Sequence, residues 1–332
     1  MYIRAAASIS AQKSFGMDRM PERWEYPERA RLSCQEPDYG PWIDPKSIRR
    51  MSHIIKMGVT TALASLRESG IAWPDAIVTG TAYGCLGDTE SFLTRLVDNQ
   101  EQLLTPTAFI QSTHNTAGAQ IALLLQCHGY NNCFVHRGFS FERALEDAGM
   151  LLEDGDAASV LVGGLDELTE ASFQIQHRFG LFRNGLAAGE GASFFLVGQE
   201  SSGKDYAQLK GLQTIHVPQG PEEIILALKE FLHARNLPPK SIDLLILGEG
   251  DQSTDPFYRS VKSRLFNDCP TFGYKTLCGE YPTSSAFSLW LAAVCLKSGT
   301  SPIPGHRNAP RMILIYTHYL GLHHSFYLLS AC

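Results

Sequence analysis

Several things that would have declared a function are missing from this sequence. No stretch approaches the run of about 20 apolar residues that a membrane-spanning helix needs. The N-terminus, Met1-Tyr-Ile-Arg-Ala-Ala-Ala-Ser-Ile-Ser10, has no apolar core of a secretion signal, so a cytoplasmic location is expected. Positive charge is scarce: 28 Lys and Arg stand against 34 Asp and Glu, for a net charge of −6, and the basic residues form no long run. That balance argues against nucleic acid as a partner. The eight cysteines are scattered, none at the short spacing of a zinc or redox site, and read as reduced structural thiols. A glycine-bearing turn, Gly80-Thr-Ala-Tyr-Gly84-Cys85-Leu-Gly87, lacks both the lysine of a P-loop and the spacing of a dinucleotide fingerprint. His318, His323 and His324 lie among Tyr and Leu and read as strand and loop packing. Neither cofactor nor metal is expected.

What is present is a strand and helix alternation over 332 residues, 44% of them hydrophobic, ample for a large core. Tyr2 to Ser10 reads as a first strand, and 17–45 as an irregular covering arm carrying Trp24, Tyr26, Tyr39 and Trp42. Ile48, Met51, Ile54, Ile55, Val59, Ala62 and Leu66 mark one helix from Ser47 to Gly70. A buried strand, Ala76 to Thr79, runs into the glycine turn and a helix starting near Asp88. The organising stretch follows. Ala117, Ile121, Leu124 and Leu125 predict a buried helix from Asn115 to Cys127. Then come a strand (132–137), a sharp turn at Gly138, a helix (140–153) and a strand (158–162) closed by Gly163 and Gly164. After an apolar strand introduced by Gly189-Glu190-Gly191-Ala192, polar Ser201 to Asp205 separates 1–200 from 201–332. The second half repeats the pattern, with strands at 209–217, 243–247 and 271–273, helices at 221–236, 254–266 and 283–298, and closing strands at 312–317 and 325–330. The two halves predict a duplicated α/β architecture forming one unit.

Five segments together resemble the β-ketoacyl synthase family. They are Pro106-Thr-Ala-Phe-Ile-Gln-Ser-Thr-His-Asn-Thr-Ala-Gly-Ala-Gln-Ile-Ala122, the helix start Ser140 to Ala148, Gly155 to Glu167, Gly189 to Ala192, and Lys275-Thr-Leu-Cys-Gly279. The resemblance implies a thiolase-like fold of layers αβαβα. It also implies the site where relatives condense an acyl thioester, held on a Cys at a strand-to-helix turn, with malonyl on an acyl carrier protein. In those relatives two His stabilise the enolate and oxyanion.

Registering Ser140 and Ala144 on the family's Cys-Ala-Ser-Gly turn puts Gly138 at the nucleophile and Phe139 beside it. The loop after Leu247 that carries the first His reads Gly248-Glu-Gly-Asp251, and the Lys275 motif leads to Glu280 where the second is expected. Tyr319-Leu320-Gly-Leu-His-His324 replaces the family's glycine-rich gate. The resemblance therefore implies a chain-length-factor type subunit, silent on its own and similar to those of aryl-polyene pathways. Such a subunit is heterodimeric with an active ketosynthase that docks the carrier protein. Phe139, Ser140, Tyr319 and Leu320 would line a pocket or tunnel, and Ile110, Ser112, His114, Asn115, Cys133 and His136 would form the interface. Two alternatives remain open. One is an acyltransferase or condensing enzyme with a relocated nucleophile (Ser140, Cys85 or Cys133) and His136, Asp251 or Glu280 as base. The other is a homodimeric acyl-binding scaffold. Ser140 reads more simply as a helix cap, Lys275 as holding a turn, and Glu167 and Glu190 as paired or loop-bound charges.

Overall fold

The computed structural model describes residues 1–332 except 27–28, 103, 105, 183–185, 251–254 and 307. Its strands are β1 (Tyr2–Ile9), β2 (Ala76–Gly80), β3 (Tyr130–Phe134), β4 (Val160–Asp166), β5 (Gly191–Gly198), β6 (Ala207–His216), β7 (Leu244–Leu247), β8 (Thr271–Gly273), β9 (Met312–Tyr319) and β10 (His323–Ser330). They lie in the order β3-β2-β4-β5-β1-β6-β10-β9-β7-β8. Read outward from the junction of β1 and β6, the two runs have the same order. In each, the first and last strands of the run pair antiparallel and the edge pairs run parallel. Strand pairing between the runs is made, among the described residues, by Tyr2 with Gln208 and Ile3 with Ala207.

Helices cover both faces, which is why β4 and β5 are buried at every position. The helix His53–Ser69 packs outside the first run on β1 and β5, beside the helix Thr116–Leu125. The helix Ser140–Glu153 lies on the other face against β2 and β4. The helix Ser284–Ser298 touches β4 and β5 of one run and β9 and β10 of the other, so nearly all of its side chains are buried. Outside the second run, the helices Pro221–His233 and Pro256–Leu265 close a separate core with Leu245, Leu247, Leu314, Tyr316, Phe326 and Leu328. Alternate residues of β9 and β10, such as Ile313, Ile315, Tyr327 and Leu329, turn to the central layer. The layers are those of the expected αβαβα fold.

Local expectations differ at four places. The helix expected from Ser47 is two helices, Pro45–Ile48 and His53–Ser69, with Ser52 at the second start. β3 ends at Phe134 rather than Arg137, because the chain turns into a short 3₁₀ segment, Arg137–Phe139. β4 continues through Gly163 and Gly164 instead of closing there. A Cβ on Gly163 would stand 2.4 Å from the Phe194 ring and one on Gly164 2.9 Å from Ala286, so the glycines let neighbours lie flat on the strand. The helix expected to be buried from Asn115 to Cys127 spans Thr116–Leu125. It buries Ala117 and Ile121 but leaves Leu123 (70%) and Leu124 (39%) exposed. None of the described helices is long and apolar enough to cross a membrane.

Candidate functional site at the strand-to-helix corner

The corner between β3 and the helix Ser140–Glu153 is tight. Arg137 holds a left-handed φ of 52°, a conformation that side chains other than glycine seldom adopt. Ser140 fastens it: its hydroxyl donates to the Arg137 carbonyl (2.8 Å) and accepts from the His136 N–H (2.9 Å). This corrects the cap reading. Ser140 is the first helical residue, and its hydroxyl bonds backward into the corner rather than to first-turn amides.

Gly138 is buried under the β9–β10 hairpin. A Cβ there would lie 2.6 Å from Tyr319 Cβ and 3.0 Å from His323 Cβ, closer than packed atoms approach. Phe139 is buried too, its ring edge-on to His323 (4.8 Å) and His216 (6.1 Å) with the Arg143 guanidinium 5.5 Å above it. Tyr319 adds a hydroxyl contact to Tyr83 at 3.1 Å. Of the four residues expected to line a pocket, Phe139, Ser140 and Tyr319 are buried, Tyr319 against the small cavity beside Gly138. The cavity beside Gly138 holds only about 10 Å³. Leu320 is 40% exposed and lines a larger cavity of about 470 Å³, with Leu186, Gly248, Glu249, Glu280 and His318.

At that larger cavity, charges are paired. Lys275, 2% exposed, donates to Glu280 Oε2 (2.8 Å) and to the His318 carbonyl (2.6 Å), so it joins the loop after β8 to β9. His318 lies flat on Tyr258 (4.5 Å between ring centroids). Its Nδ1 accepts from the Gly321 N–H, which leaves the ring proton on Nε2 facing Asp255 Oδ2 at 3.1 Å. Burial opposes ionisation of Asp255, but the His318 contact and the Phe257 and Tyr258 amides hold its carboxyl below its usual range. His324 sits between the Tyr316 hydroxyl (2.9 Å) and the Gly321 carbonyl (3.1 Å), and burial followed by the nearby His318 pushes it down to about 3. Asp251, placed by sequence at the first His position, lies outside the described residues.

The relocated nucleophiles fare poorly on geometry. Cys133 points its Sγ at the His114 carbonyl (3.4 Å), and burial raises its pKa. Cys85 is buried, and burial with Asp88 and Glu167 nearby pushes its thiol well up. Neither environment favours the thiolate that reacts. The glycine turn uses its amides internally: Ala82 and Tyr83 donate to Asp166 Oδ1 at 2.9 and 3.2 Å, and Gly87 to Glu167 at 2.9 Å. Those donors are not free for a phosphate. Glu190 accepts from Cys34, Leu168 and His53, which ties the covering arm to the body. Among the described residues, no three metal-ligating side chains converge.

Of the interface residues, Ile110 (64%), His114, Asn115 and His136 are exposed, and Ser112 and Cys133 half-buried. Sequence reading missed Glu142, Asp166, His216 and Ser285. Glu142 had a signal, standing one helical turn after Gly138, but Asp166 gains meaning only when β4 meets the Thr81 turn and Thr283 (2.8 Å).

No curated protein sequence matches the chain. Solved structures do. A β-ketoacyl synthase from Burkholderia phymatum superposes with a TM-score of 0.79 at 15% identity, covering 100% of this chain and 99% of that one. The ishigamide ketosynthase/chain length factor gives 0.78 at 15%, covering 100% and 98%. The ketosynthase ApeO in complex with its chain length factor ApeC, from Xenorhabdus doucetiae, gives 0.74 at 17%, covering 100% and 98%. At such identities the likeness establishes the thiolase-like ketosynthase fold. The profile for the β-ketoacyl synthase N-terminal domain matches residues 22–188, half of the sequence, and on that match the chain belongs to the β-ketoacyl synthase family.

Proposed function

We propose that this chain is a catalytically silent ketosynthase-like subunit that pairs with an active β-ketoacyl carrier-protein synthase. The observation that carries the reading is the filled space at Gly138, where Tyr319 and His323 occupy the volume any nucleophilic side chain would need. The thiols of Cys85 and Cys133 are shifted away from reactivity, which weighs against relocated chemistry.

Pairing is supported by β3, which among the described strands pairs with β2 alone and presents its other edge outward. Around it Phe109, Ile110, Leu123, Tyr130 and Val135 are exposed. An open edge strand flanked by apolar side chains is a liability unless another chain covers it. Two of the similar structures are described as a ketosynthase with a chain length factor. The cavity at the corner is too small for an acyl chain. The subunit would therefore shape the product along the pairing face rather than through its own corner. Its net charge of −6 leaves docking of an acidic carrier protein to the partner. An aryl-polyene or related polyketide pathway is the context we favour, on the Ser112-Thr-His-Asn115 segment.

Co-expression with an active synthase and its carrier protein tests the proposal. The two chains should co-purify, and condensation of malonyl carrier protein should require the synthase. Turnover by this chain alone would overturn silence, and a homodimer that persists with the synthase present would favour the acyl-binding scaffold.

A further inference from the structure

Beside Gly138, three buried residues with unsatisfied polar atoms line one small cavity. The helix Ser140–Glu153 carries the Glu142 carboxyl, 1% exposed, into the central layer. Its Oε1 accepts from the Ser325 hydroxyl at 2.8 Å, and its Oε2 has no hydrogen bond of normal geometry, although the Ser285 and Tyr327 hydroxyls lie near the carboxyl. The Ser285 hydroxyl, on the helix Ser284–Ser298, and His323 Nδ1, on β10, are likewise buried (3% and 7% exposed) without a hydrogen bond of normal geometry, the Ser285 hydroxyl near Glu142 and the His323 ring near the Tyr319 backbone. All three residues line the same cavity of about 10 Å³, with Gly138, Thr317 and Ser325. The Tyr327 hydroxyl comes near Glu142 and Ser285 without closing a bond of normal geometry.

An unsatisfied buried polar atom costs about 1–3 kcal/mol, so three on separate elements around one void are not expected to stay bare. A water needs roughly 10–15 Å³ and two to four polar partners. We infer that this cavity is a binding site for one water molecule, bridging Glu142 Oε2, Ser285 Oγ and His323 Nδ1. The bridge ties the corner helix, the central helix and the closing hairpin to each other, so closure over Gly138 is held by hydrogen bonds as well as by contact. Burial raises the Glu142 carboxyl toward its neutral form and, with His216 beside it, lowers the His323 imidazole toward neutral. Neutral walls suit water better than a cation or an anion. The inference does not depend on the chain's pairing or on its silence.

A high-resolution crystal structure of the full chain, alone or with its partner, together with one from crystals soaked in rubidium, tests this. The expected result is one ordered peak within hydrogen-bond distance, about 2.7–3.2 Å, of all three atoms and without an anomalous signal. A rubidium peak would make the site a cation site and overturn the inference. So would an empty map with Glu142 bonded directly to Ser285 or Tyr327. In solution, oxygen-17 relaxation dispersion should count one long-lived water fewer in Ser285→Val, and an unchanged count would contradict the bridge. If that variant does not fold, the crystal of the parent chain decides alone.

Discussion

The two sheet runs share one strand order but end differently. The first ends in β3, five residues long, half-exposed and bordered by Ile110, Leu123 and Val135 on the surface. The second ends in β8, three residues long, where Trp24 of the covering arm lies against Phe272 and donates its indole N–H to the Pro302 carbonyl. The corners differ as well. Gly138 is closed by a hairpin laid over it, while the loop after β8 is closed by the buried Lys275–Glu280 pair. One duplicated plan thus has a finished edge and an unfinished one. The unfinished edge is where the proposed pairing would seat a second chain.

The sharpest way to break this contrast is at the finished end. Lys275→Met leaves Glu280 buried without its cation and should cost about 3–5 kcal/mol in denaturant unfolding, whereas Lys275→Met with Glu280→Met together should come back near the parent. An undiminished stability in the single variant would mean the pair does not close that end.

Next comes pH. Burial, reinforced by Asp88 and Glu190, raises Glu167 from 4.5 to about 7 despite the Gly87 hydrogen bond and the His53 charge. A carboxyl raised in the folded state contributes stability that is complete below its unfolded pKa and lost as pH climbs through the folded one. Glu167 should therefore lower stability between about pH 4.5 and 7, by on the order of 3 kcal/mol, and Glu167→Gln should remove that slope from the pH profile.

Leu123→Asp sharpens the unfinished end. The lone chain should melt as before, because Leu123 is 70% exposed, while affinity for the synthase should fall about 30-fold, the equivalent of roughly 2 kcal/mol at a packed interface position. The smallest effect is at the corner. Gly138→Cys should lose about 1–3 kcal/mol to crowding against Tyr319 and His323. It should gain no acyl adduct.

Much of the layered plan was legible because its elements obey simple periods. Ile54, Ile55, Val59, Ala62 and Leu66 repeat at helical spacing and are buried, and the apolar run 244–247 is a buried strand. Periodicity failed where a long-range neighbour decided the outcome. Ile48 and Met51 continue the helical stripe but are cut from that helix, which begins only at His53. Gly163 and Gly164 look like a stop, yet they are strand residues because Phe194 and Ala286 need the space. Leu124 fits a buried stripe but belongs to a face the single chain leaves open. At the site, the absent thiol at the corner could be read from Gly138. What crowds any side chain there, Tyr319 and His323 overhead, lies some 180 residues further along and is invisible locally. The polar group formed by Glu142, Ser285 and His323 is equally nonlocal.

The central claim is that this chain holds no acyl group while its partner does. Intact-mass spectrometry of the reconstituted pair after incubation with a reactive acyl thioester tests it most directly. The account predicts one acyl mass increment on the active synthase and none on this chain. An increment on this chain, mapped to any of its cysteines or to Ser140, would contradict it.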